Sequence, residues 1–385
     1  MIKSETDHLS IEWQDGQLSR YHWVWLRDNC HSDVLFNASC NQKYYDTAFI
    51  PLDVVPTSTT IKDGDLHITW SDNHSSVYDL EWLRANDYSR NTAAYDIPAG
   101  PSWKPWTDDL PSSMAAFDQS AVMNDRGALK NLLEHLFEHG IVVAKAGSAG
   151  GIKFEDLVRR ISGFLQPSYF GDYFDLKTKP DDQTDSISFS TKELHLHTDI
   201  PYYSNPPEFQ FLFGLDVSDG CAENNFGNTR FIDGLEAANS FQKSEKNLYE
   251  VLCNEEVIYI AEYPEAQKLF VNSTPIIKRN AENQITGLIN NPSKMFFKNT
   301  KFNEMPRLYE AYSKFKKSLL TKSPYYTHKW HQDDLLIWDN RRIFHGRDAF
   351  NSGTHTRILR GGYFGKNELE AKLYYASKKE ETSNA

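Results

Sequence analysis

Two histidines and one aspartate have the residue types and the spacing of a metal site. His197 and Asp199 lie two positions apart in the apolar and aromatic stretch 194–203, in which we predict a strand over residues 195–203. Side chains at i and i+2 of a strand point to the same face, so this imidazole and this carboxylate could bind one ion. His345 would complete a 2-His-1-carboxylate triad, which leaves positions open on Fe(II) and is typical of oxygen-activating enzymes.

His195 is a rival ligand, because it lies two positions before His197 and could chelate with it. That choice would leave Asp199 on the same face without a partner. We therefore keep His197 and Asp199 as the pair and expect His195 to be a hydrogen-bonded histidine of the core.

Two arginines follow His345 on one predicted strand, residues 356–363. A buried arginine needs an anion. If Arg357 and Arg360 are buried, the distal carboxylate of a dicarboxylic co-substrate could be bound there through paired hydrogen bonds. The alternative is an ordinary ion pair with a surface acid.

The composition is that of a globular protein and excludes several partners. The chain has 385 residues, 39% of them hydrophobic, and a formal net charge of -12, without a long basic block. An acidic chain of this kind is not expected to bind nucleic acid. It has no apolar signal segment at its start and no run near the ~18–20 apolar residues of a membrane span, so we expect a cytoplasmic protein that does not enter membranes.

The pattern of elements predicts two domains. In residues 1–97, apolar alternation flanks Asp15-Gly16 and Asp63-Gly64, which predicts two hairpins in a small β-rich domain (strands 9–13 with 19–25, and 59–61 with 66–70). Residues 98–385 begin with helices predicted at 125–139 and 154–165 and continue mostly as separated strands. The absence of βαβ alternation favours a jelly-roll double sheet.

Six ordered segments carry a specific resemblance that runs nearly end to end. They are residues 25–30 (WLRDNC), 68–74 (ITWSDNH), 197–199 with 206–207 (HTD and PP), 231–234 (FIDG), 339–342 with 345–347 (DNRR and HGR) and 359–363 (LRGGY). In these segments the chain resembles the γ-butyrobetaine and trimethyllysine hydroxylases, which belong to the taurine-dioxygenase-like Fe(II)/2-oxoglutarate oxygenases. The resemblance implies a distorted double-stranded β-helix preceded by a small β-domain.

The resemblance also implies cofactors and their ligands. Iron would be held by His197, Asp199 and His345, with 2-oxoglutarate and O₂ as co-substrates. Arg357 would bind the 2-oxoglutarate carboxylate, Thr229 in the Gly227-Asn228-Thr229 turn would hydrogen-bond it, and Arg360 would lie just behind.

On the substrate side, the resemblance implies an aromatic cage for a trimethylammonium group. The cage positions fall on Phe170, Phe174, Phe189 and Tyr363. The related enzymes contact the substrate carboxylate through asparagines. Here Ser186 takes the first of these positions, and Asn290 or Asn291 the second, so we expect an altered anionic end.

The first domain departs from the family pattern, in which cysteines and a histidine often hold zinc. Cys30 and His74 are present, whereas Ser32 and Asp33 replace expected cysteines. Cys40 or His31 could substitute as a ligand. A zinc-free domain held by packing is the alternative. The remaining cysteines, Cys221 and Cys253, are expected to be free thiols.

We therefore expect an Fe(II)- and 2-oxoglutarate-dependent hydroxylase of a small trimethylammonium compound, with γ-butyrobetaine as the leading substrate. Trimethyllysine and a trimethylammonio-phosphonate are alternative substrates. A non-catalytic sensor that binds metal and 2-oxoglutarate is the alternative from another class. Homodimers are common in the group, so a homodimer is a further expectation.

Overall fold

A computed structural model describes residues 1–90, 102–106, 114, 116–147, 152–178, 187–222, 226–350 and 355–378. The chain divides into two compact units, Met1–Ala99 and Gly100–Ala385. The predicted boundary between residues 97 and 98 lies outside the described residues and stays a prediction. In the described part of the chain, none of the helices combines the length and the apolar character needed to cross a bilayer.

The first unit is built from short antiparallel strands and two one-turn helices. Its strands are β1 (Ile2–Ser4), β2 (His8–Glu12), β3 (Leu18–His22), β4 (Phe36–Asn37), β5 (Gln42–Lys43), β6 (Pro56–Lys62), β7 (Asp65–Trp70) and β8 (Ser75–Asp79), and its helices are α1 (Trp23–Asp28) and α2 (Leu80–Ala85). Both predicted hairpins form, as the pairs β2/β3 and β6/β7. The predicted strand 19–25 is wrong beyond His22, because Trp23, Leu26 and Arg27 are buried at helical spacing in α1.

The second unit contains the remaining strands and helices. The strands are β9 (Ala116–Asp118), β10 (Ile141–Lys145), β11 (Tyr173–Leu176), β12 (Leu194–His197), β13 (Phe209–Val217), β14 (Thr229–Asp233), β15 (Glu256–Tyr263), β16 (Lys268–Pro275), β17 (Ile277–Arg279), β18 (Ile285–Leu288), β19 (Met295–Phe296), β20 (Tyr325–His328), β21 (Leu335–Asp339), β22 (Ile343–Arg347) and β23 (Arg357–Phe364). The helices are α3 (Gln119–Asn124), α4 (Arg126–His139), α5 (Phe154–Ile161), α6 (Gly234–Ser244), α7 (Lys246–Asn254), α8 (Met305–Lys322) and α9 (Lys366–Ser377).

Two sheets of this unit form the predicted jelly roll. One has the strand order β11-β23-β13-β21-β10-β9 and the other the order β12-β22-β14-β20. Apolar side chains from both sheets, among them Leu212, Phe231, Leu336 and Trp338, make one buried cluster. The alternation of inward and outward residues along these strands therefore builds a double-stranded β-helix, and the predicted fold class is confirmed.

Helix α4 follows its sequence signals closely. The Asp125 side chain accepts a hydrogen bond from the Ala128 backbone N–H at 2.5 Å, and Gly140 ends the helix with φ at 76°. The second predicted helix, 154–165, ends at Ile161, four residues early. Gly163, with φ at 96°, breaks it.

A fully buried ion pair between Arg342 and Asp233 links the β21/β22 connection to the end of β14 and, through a further hydrogen bond of Arg342, to the end of α4. Arg342 Nε and Nη2 donate to the two carboxylate oxygens of Asp233 at 3.0 and 2.8 Å, and both side chains have 0% exposure. The other guanidinium N–H groups donate to the carbonyl oxygens of Glu138 and Lys104. Asp233 also accepts the backbone N–H of Trp106 at 2.9 Å. Because Arg342 connects β21 to β22, the pair anchors that hairpin.

We predict that Arg342→Met lowers the free energy of unfolding of the second unit by about 3–5 kcal/mol, since it leaves the Asp233 carboxylate buried without its charge partner. Urea unfolding followed by tryptophan fluorescence measures the change. Arg159→Met is the matched control, because the Arg159 side chain is 73% exposed and pairs with Asp156 at the surface. A loss no larger than that of the control would contradict the prediction.

Candidate active site

The structure brings the three predicted metal ligands together. One ligand atom from each of His197, Asp199 and His345 lies within 4.8 Å of the others, and these three form the metal-binding cluster found among the described residues. His197 and His345 are directly opposite each other on the neighbouring strands β12 and β22. Their ring centroids are 4.2 Å apart. The fold thus joins residues that are far apart in the chain into one donor set.

The orientation of His197 fits a bound cation. Its Nδ1 lies 2.8 Å from the His195 carbonyl oxygen, which can only accept, so Nδ1 carries the proton. The unprotonated Nε2 then faces Asp199 Oδ1 at 3.1 Å. Two lone pairs at this distance repel each other unless a cation lies between them. Burial and the neighbouring His197 also lower the pKa of His345 to about 3, which keeps that imidazole neutral, as metal binding requires.

Four hydrogen bonds hold the Asp199 carboxylate and backbone in place. Gln210 Nε2 and the Tyr363 hydroxyl donate to Oδ2 at 2.6 and 2.9 Å, so Oδ1 is left for the histidine side. The Asn340 amide accepts the Asp199 N–H at 2.7 Å and donates to its carbonyl oxygen at 3.0 Å. Burial alone would raise the pKa of Asp199, but the neighbouring histidines His197 and His345 and the Tyr363 hydroxyl hold it well below its usual range.

Asp199 does not owe its position to strand alternation, and in this respect the sequence prediction is wrong. The predicted strand 195–203 ends at His197, and Ile200 has φ at 50°. Asp199 therefore lies in a bend. The long-range hydrogen bonds of Asn340 and Gln210 bring its carboxylate to the histidines. Asn340 lies in the segment DNRR (residues 339–342), where it was assigned no role in the site. No local pattern in the sequence indicated Gln210.

His195 is not a core histidine, because its side chain is 71% exposed. Between the pairs Leu194/Arg347 and His197/His345, β12 advances three residues and β22 only two. This bulge breaks the alternation and turns His195 away from the site. Gly346 permits the close strand approach, since a Cβ there would lie 2.6 Å from the Leu194 carbonyl oxygen.

A small basic pocket of about 60 Å³ adjoins the triad and contains Thr229 and Arg357. Arg357 is 7% exposed, and its Nε has no hydrogen-bond partner among the described residues. Burial and the neighbouring Arg347 lower the pKa of Arg357 to about 9. A bound carboxylate would accept a hydrogen bond from Nε and would offset the cost of the buried positive charge. The pocket is therefore suited to an anion.

Trp330 orients the Thr229 hydroxyl and was missed by sequence reasoning. Its indole N–H donates to Thr229 Oγ1 at 2.9 Å, and Arg357 Nη2 approaches the same oxygen at 3.5 Å. The oxygen accepts from both groups, so the hydroxyl proton points elsewhere and can be donated to a bound anion. The Trp330 ring also lies 5.9 Å from the Arg357 guanidinium.

Arg360 does not belong to this pocket, and the prediction that placed it beside the co-substrate is wrong. Arg357 and Arg360 are three positions apart on β23 and therefore point to opposite faces of the sheet. Arg360 donates to both carboxylate oxygens of Asp175, at 2.8 and 3.0 Å, and lies over the Tyr173 ring. Arg360 therefore forms the ordinary ion pair with an acidic side chain that was the alternative interpretation.

A larger cavity of about 310 Å³ also adjoins the triad, through His197 and Asp199, and has aromatic walls. Six rings contribute to its lining: Phe170, Phe174, Phe189, Tyr202, Tyr263 and Tyr363. Four of them were predicted, whereas Tyr202 and Tyr263 were not. Gly361 on β23 makes room for Phe174, since a Cβ at Gly361 would lie 2.6 Å from that ring.

Of the two asparagines that were left open, Asn291 lines the aromatic cavity. Asn290 is not part of that lining; its amide donates to the Leu196 carbonyl oxygen at 3.1 Å and accepts from the Tyr312 hydroxyl at 3.0 Å. Ser186 lies outside the described residues, and its role stays a prediction.

The proposed zinc ligands of the first unit come together only in part. Cys30 Sγ and His74 Nε2 are 3.2 Å apart. Cys40 does not join them, because it lies at the tip of the β4/β5 hairpin, is exposed and contacts Gln42. His31 stacks on Phe36 with 4.2 Å between centroids. Two ligands alone do not make the four-coordinate site that structural zinc requires.

We predict that Gln210→Met weakens Mn(II) or Co(II) binding about 10-fold, because the Asp199 carboxylate loses the donor that fixes Oδ2. Metal titration monitored by calorimetry measures the change. Gln242→Met, at an exposed position of α6, should leave affinity unchanged. Equal affinities in the wild type and Gln210→Met would show that this hydrogen bond does not support the metal site.

We further predict that Trp330→Phe, which keeps the ring and removes the indole N–H, weakens 2-oxoglutarate binding about fivefold, the effect of one hydrogen bond. Titration of the Mn(II)-loaded protein with 2-oxoglutarate tests this. Trp103→Phe is a control remote from the pocket, since Trp103 packs against Arg341 and Arg342. The idea fails if both variants bind 2-oxoglutarate as the wild type does.

Comparison with known proteins agrees with this geometry. Residues 104–363 match the profile of the taurine catabolism dioxygenase TauD, TfdA family, and residues 1–84 match the gamma-butyrobetaine hydroxylase-like N-terminal profile. Gamma-butyrobetaine dioxygenase of Pseudomonas sp. (strain AK-1) is 30% identical over 95% of this chain and 92% of that protein. Mitochondrial trimethyllysine dioxygenase of Bos taurus is 25% identical over 94% of this chain and 84% of that protein.

Among solved structures, PvcB of Pseudomonas aeruginosa has a TM-score of 0.45 at 22% identity, covering 63% of this chain and 81% of that one. The family assignment depends on the profile that spans most of the chain and on the 30% identical relative. The chain belongs to the TauD, TfdA family and is an Fe(II)/2-oxoglutarate-dependent dioxygenase.

Proposed function

We propose that this enzyme hydroxylates a small trimethylammonium compound, with γ-butyrobetaine as the leading substrate. The observation that carries the proposal is the six-ring cavity that opens onto the triad. A quaternary ammonium has no N–H to donate and is bound best by the faces of aromatic rings. The lining rings form a connected aromatic group, with Phe174 centred 5.8 Å from Phe170 and 5.9 Å from Tyr363.

His197, Asp199 and His345 would hold the iron, and Arg357 with Thr229 would hold the distal carboxylate of 2-oxoglutarate. The bound metal, with 2-oxoglutarate and O₂, supplies the oxidising power needed to hydroxylate an unactivated C–H bond. The protein would hold the two organic molecules in neighbouring pockets that both adjoin His197 and Asp199. Phe174, Leu176 and Leu194 line both pockets and keep the reacting region apolar.

Arg347 supports the cage indirectly. Its guanidinium donates to the carbonyl oxygens of Ser188, Ser190 and Lys192 at 2.8, 2.7 and 2.9 Å. These bonds hold the segment that carries Phe189 against β22. We propose that Arg347 thereby positions Phe189 for the substrate cation.

Relatives named for two quaternary ammonium substrates match nearly the full chain, which supports this substrate class. The intact triad and the buried Arg357 are what a catalytic member of the family needs, so a non-catalytic sensor has no observation in its favour. Release of succinate from 2-oxoglutarate with a quaternary amine separates turnover from mere binding.

We predict that Phe189→Ala lowers affinity for γ-butyrobetaine about 10-fold, because one face of the cage is lost. Anaerobic calorimetry on the protein with Mn(II) and 2-oxoglutarate measures this. The matched ligand is 5,5-dimethylhexanoate, which has the same shape with a neutral tert-butyl group and should bind weakly to every variant.

Phe302→Ala, at a position that is 92% exposed, serves as the protein control. Equal affinity of the wild type for the cation and for its neutral isostere would contradict the cage. No binding of any quaternary amine would remove the substrate proposal while leaving the enzyme class unaffected.

A further inference from the structure

One lysine among the residues that line the aromatic cavity has no role in the proposal so far. Lys294 belongs to the turn 291–294, which is closed by a hydrogen bond from its backbone N–H to the Asn291 carbonyl oxygen at 3.0 Å. Its own carbonyl oxygen accepts the Ile260 N–H at 2.9 Å, so the turn is attached to β15. The backbone of Lys294 is thereby held at the wall of the cavity.

Lys294 and Asp199 are the charged side chains among the described residues of the cavity wall. Asp199 faces the histidines through Oδ1 and accepts two hydrogen bonds at Oδ2. Lys294 is half-buried, and within the described part of the chain its ammonium makes no ion pair. A lysine in this setting offers a positive charge and three N–H donors to whatever occupies the cavity.

The neighbouring Asn291 has little left to offer an anion. Its Oδ1 accepts hydrogen bonds from the Ser293 backbone N–H and hydroxyl at 3.2 and 2.8 Å. Its Nδ2 donates to the Thr198 carbonyl oxygen at 3.2 Å, which leaves one N–H free. A single neutral donor is a weak ligand for a carboxylate compared with an ammonium.

We propose that Lys294 binds the anionic end of the substrate, and so selects trimethylammonium compounds that end in a carboxylate or a phosphonate over those that end in an amino acid group. This inference rests on the proposed function. An α-amino acid end carries an ammonium beside its carboxylate. That second cation would lie near Lys294, and the described cavity wall has no free carboxylate to pair with it.

Binding without turnover tests the proposal. The full-length protein, loaded with Mn(II) and 2-oxoglutarate, is titrated anaerobically with γ-butyrobetaine, its neutral-ended amide, 2-(trimethylammonio)ethylphosphonate and trimethyllysine. The variants are Lys294→Gln, Lys294→Arg and, as a matched control, Lys298→Gln, since Lys298 lies over the exposed Phe296 ring and does not line the cavity.

We expect Lys294→Gln to weaken binding of the two anionic compounds about 10-fold, the effect of one charge-assisted hydrogen bond, and to leave the amide unchanged. Lys294→Arg should restore most of the loss, and Lys298→Gln should show none. A loss of affinity for the carboxylate and the phosphonate that the amide does not share supports the proposal.

Three results would overturn the proposal. The first is that Lys294→Gln loses the same affinity for γ-butyrobetaine as for its amide. The second is that the wild type binds these two compounds with equal affinity. The third is that the wild type binds trimethyllysine as tightly as γ-butyrobetaine. In each of these cases the protein still binds a quaternary amine, so the cage and the proposed function stand. A wild type that binds no quaternary amine at all would instead overturn both proposals.

Discussion

The fixed orientation of the Asp199 carboxylate is the constraint on which the rest of the site depends. A carboxylate in a bend would be free to rotate, and a rotating ligand cannot define an open coordination face. Gln210 on β13 and Tyr363 on β23 hold one oxygen, and Asn340 from the β21/β22 connection holds the backbone. These donors come together only when the larger sheet has formed, so metal affinity and folding of the second unit are coupled.

The two pockets beside the triad differ in the way that the two organic reactants differ. The smaller pocket places a buried guanidinium, Arg357, where its charge is costly without an anion. The larger cavity has ring faces and few charges, which suits a cation that cannot donate hydrogen bonds. Phe174 belongs to both linings. This electrostatic contrast supports the proposal that 2-oxoglutarate binds in the smaller pocket and a trimethylammonium substrate in the larger cavity.

The first unit brings together two of the residues considered as zinc ligands. Cys30 and His74 remain in contact, and Arg27 pairs with Asp72 beside them. The unit nevertheless has a core of its own, which includes Trp23, Trp70, Tyr21, Tyr78 and Leu66. Packing of these large side chains stabilises the unit.

Local patterns in the sequence were enough to predict the jelly roll, both hairpins of the first unit and helix α4, because each depends on alternation, turn chemistry or helical periodicity within a few residues. They also indicated the triad and Arg357, since few combinations of residue types suit that chemistry. Tertiary structure decided the rest. A bulge in β12 turns His195 away from the site. The three-residue spacing on β23 places Arg360 on the opposite face from Arg357, beside Asp175, and Cys40 lies at the tip of the β4/β5 hairpin, away from Cys30.

The same division applies to the groups that control the site most closely. Gln210 and Trp330 carry no local signal, because their partners lie far away in the chain, and neither does the proposed role of Lys294, because its cavity exists only in the folded unit. The sequence by itself determined which chemistry is available and which fold could carry it. Only long-range hydrogen bonds and strand register decided which side chains face the metal, the co-substrate and the substrate, because side-chain direction depends on pairing that no local pattern encodes.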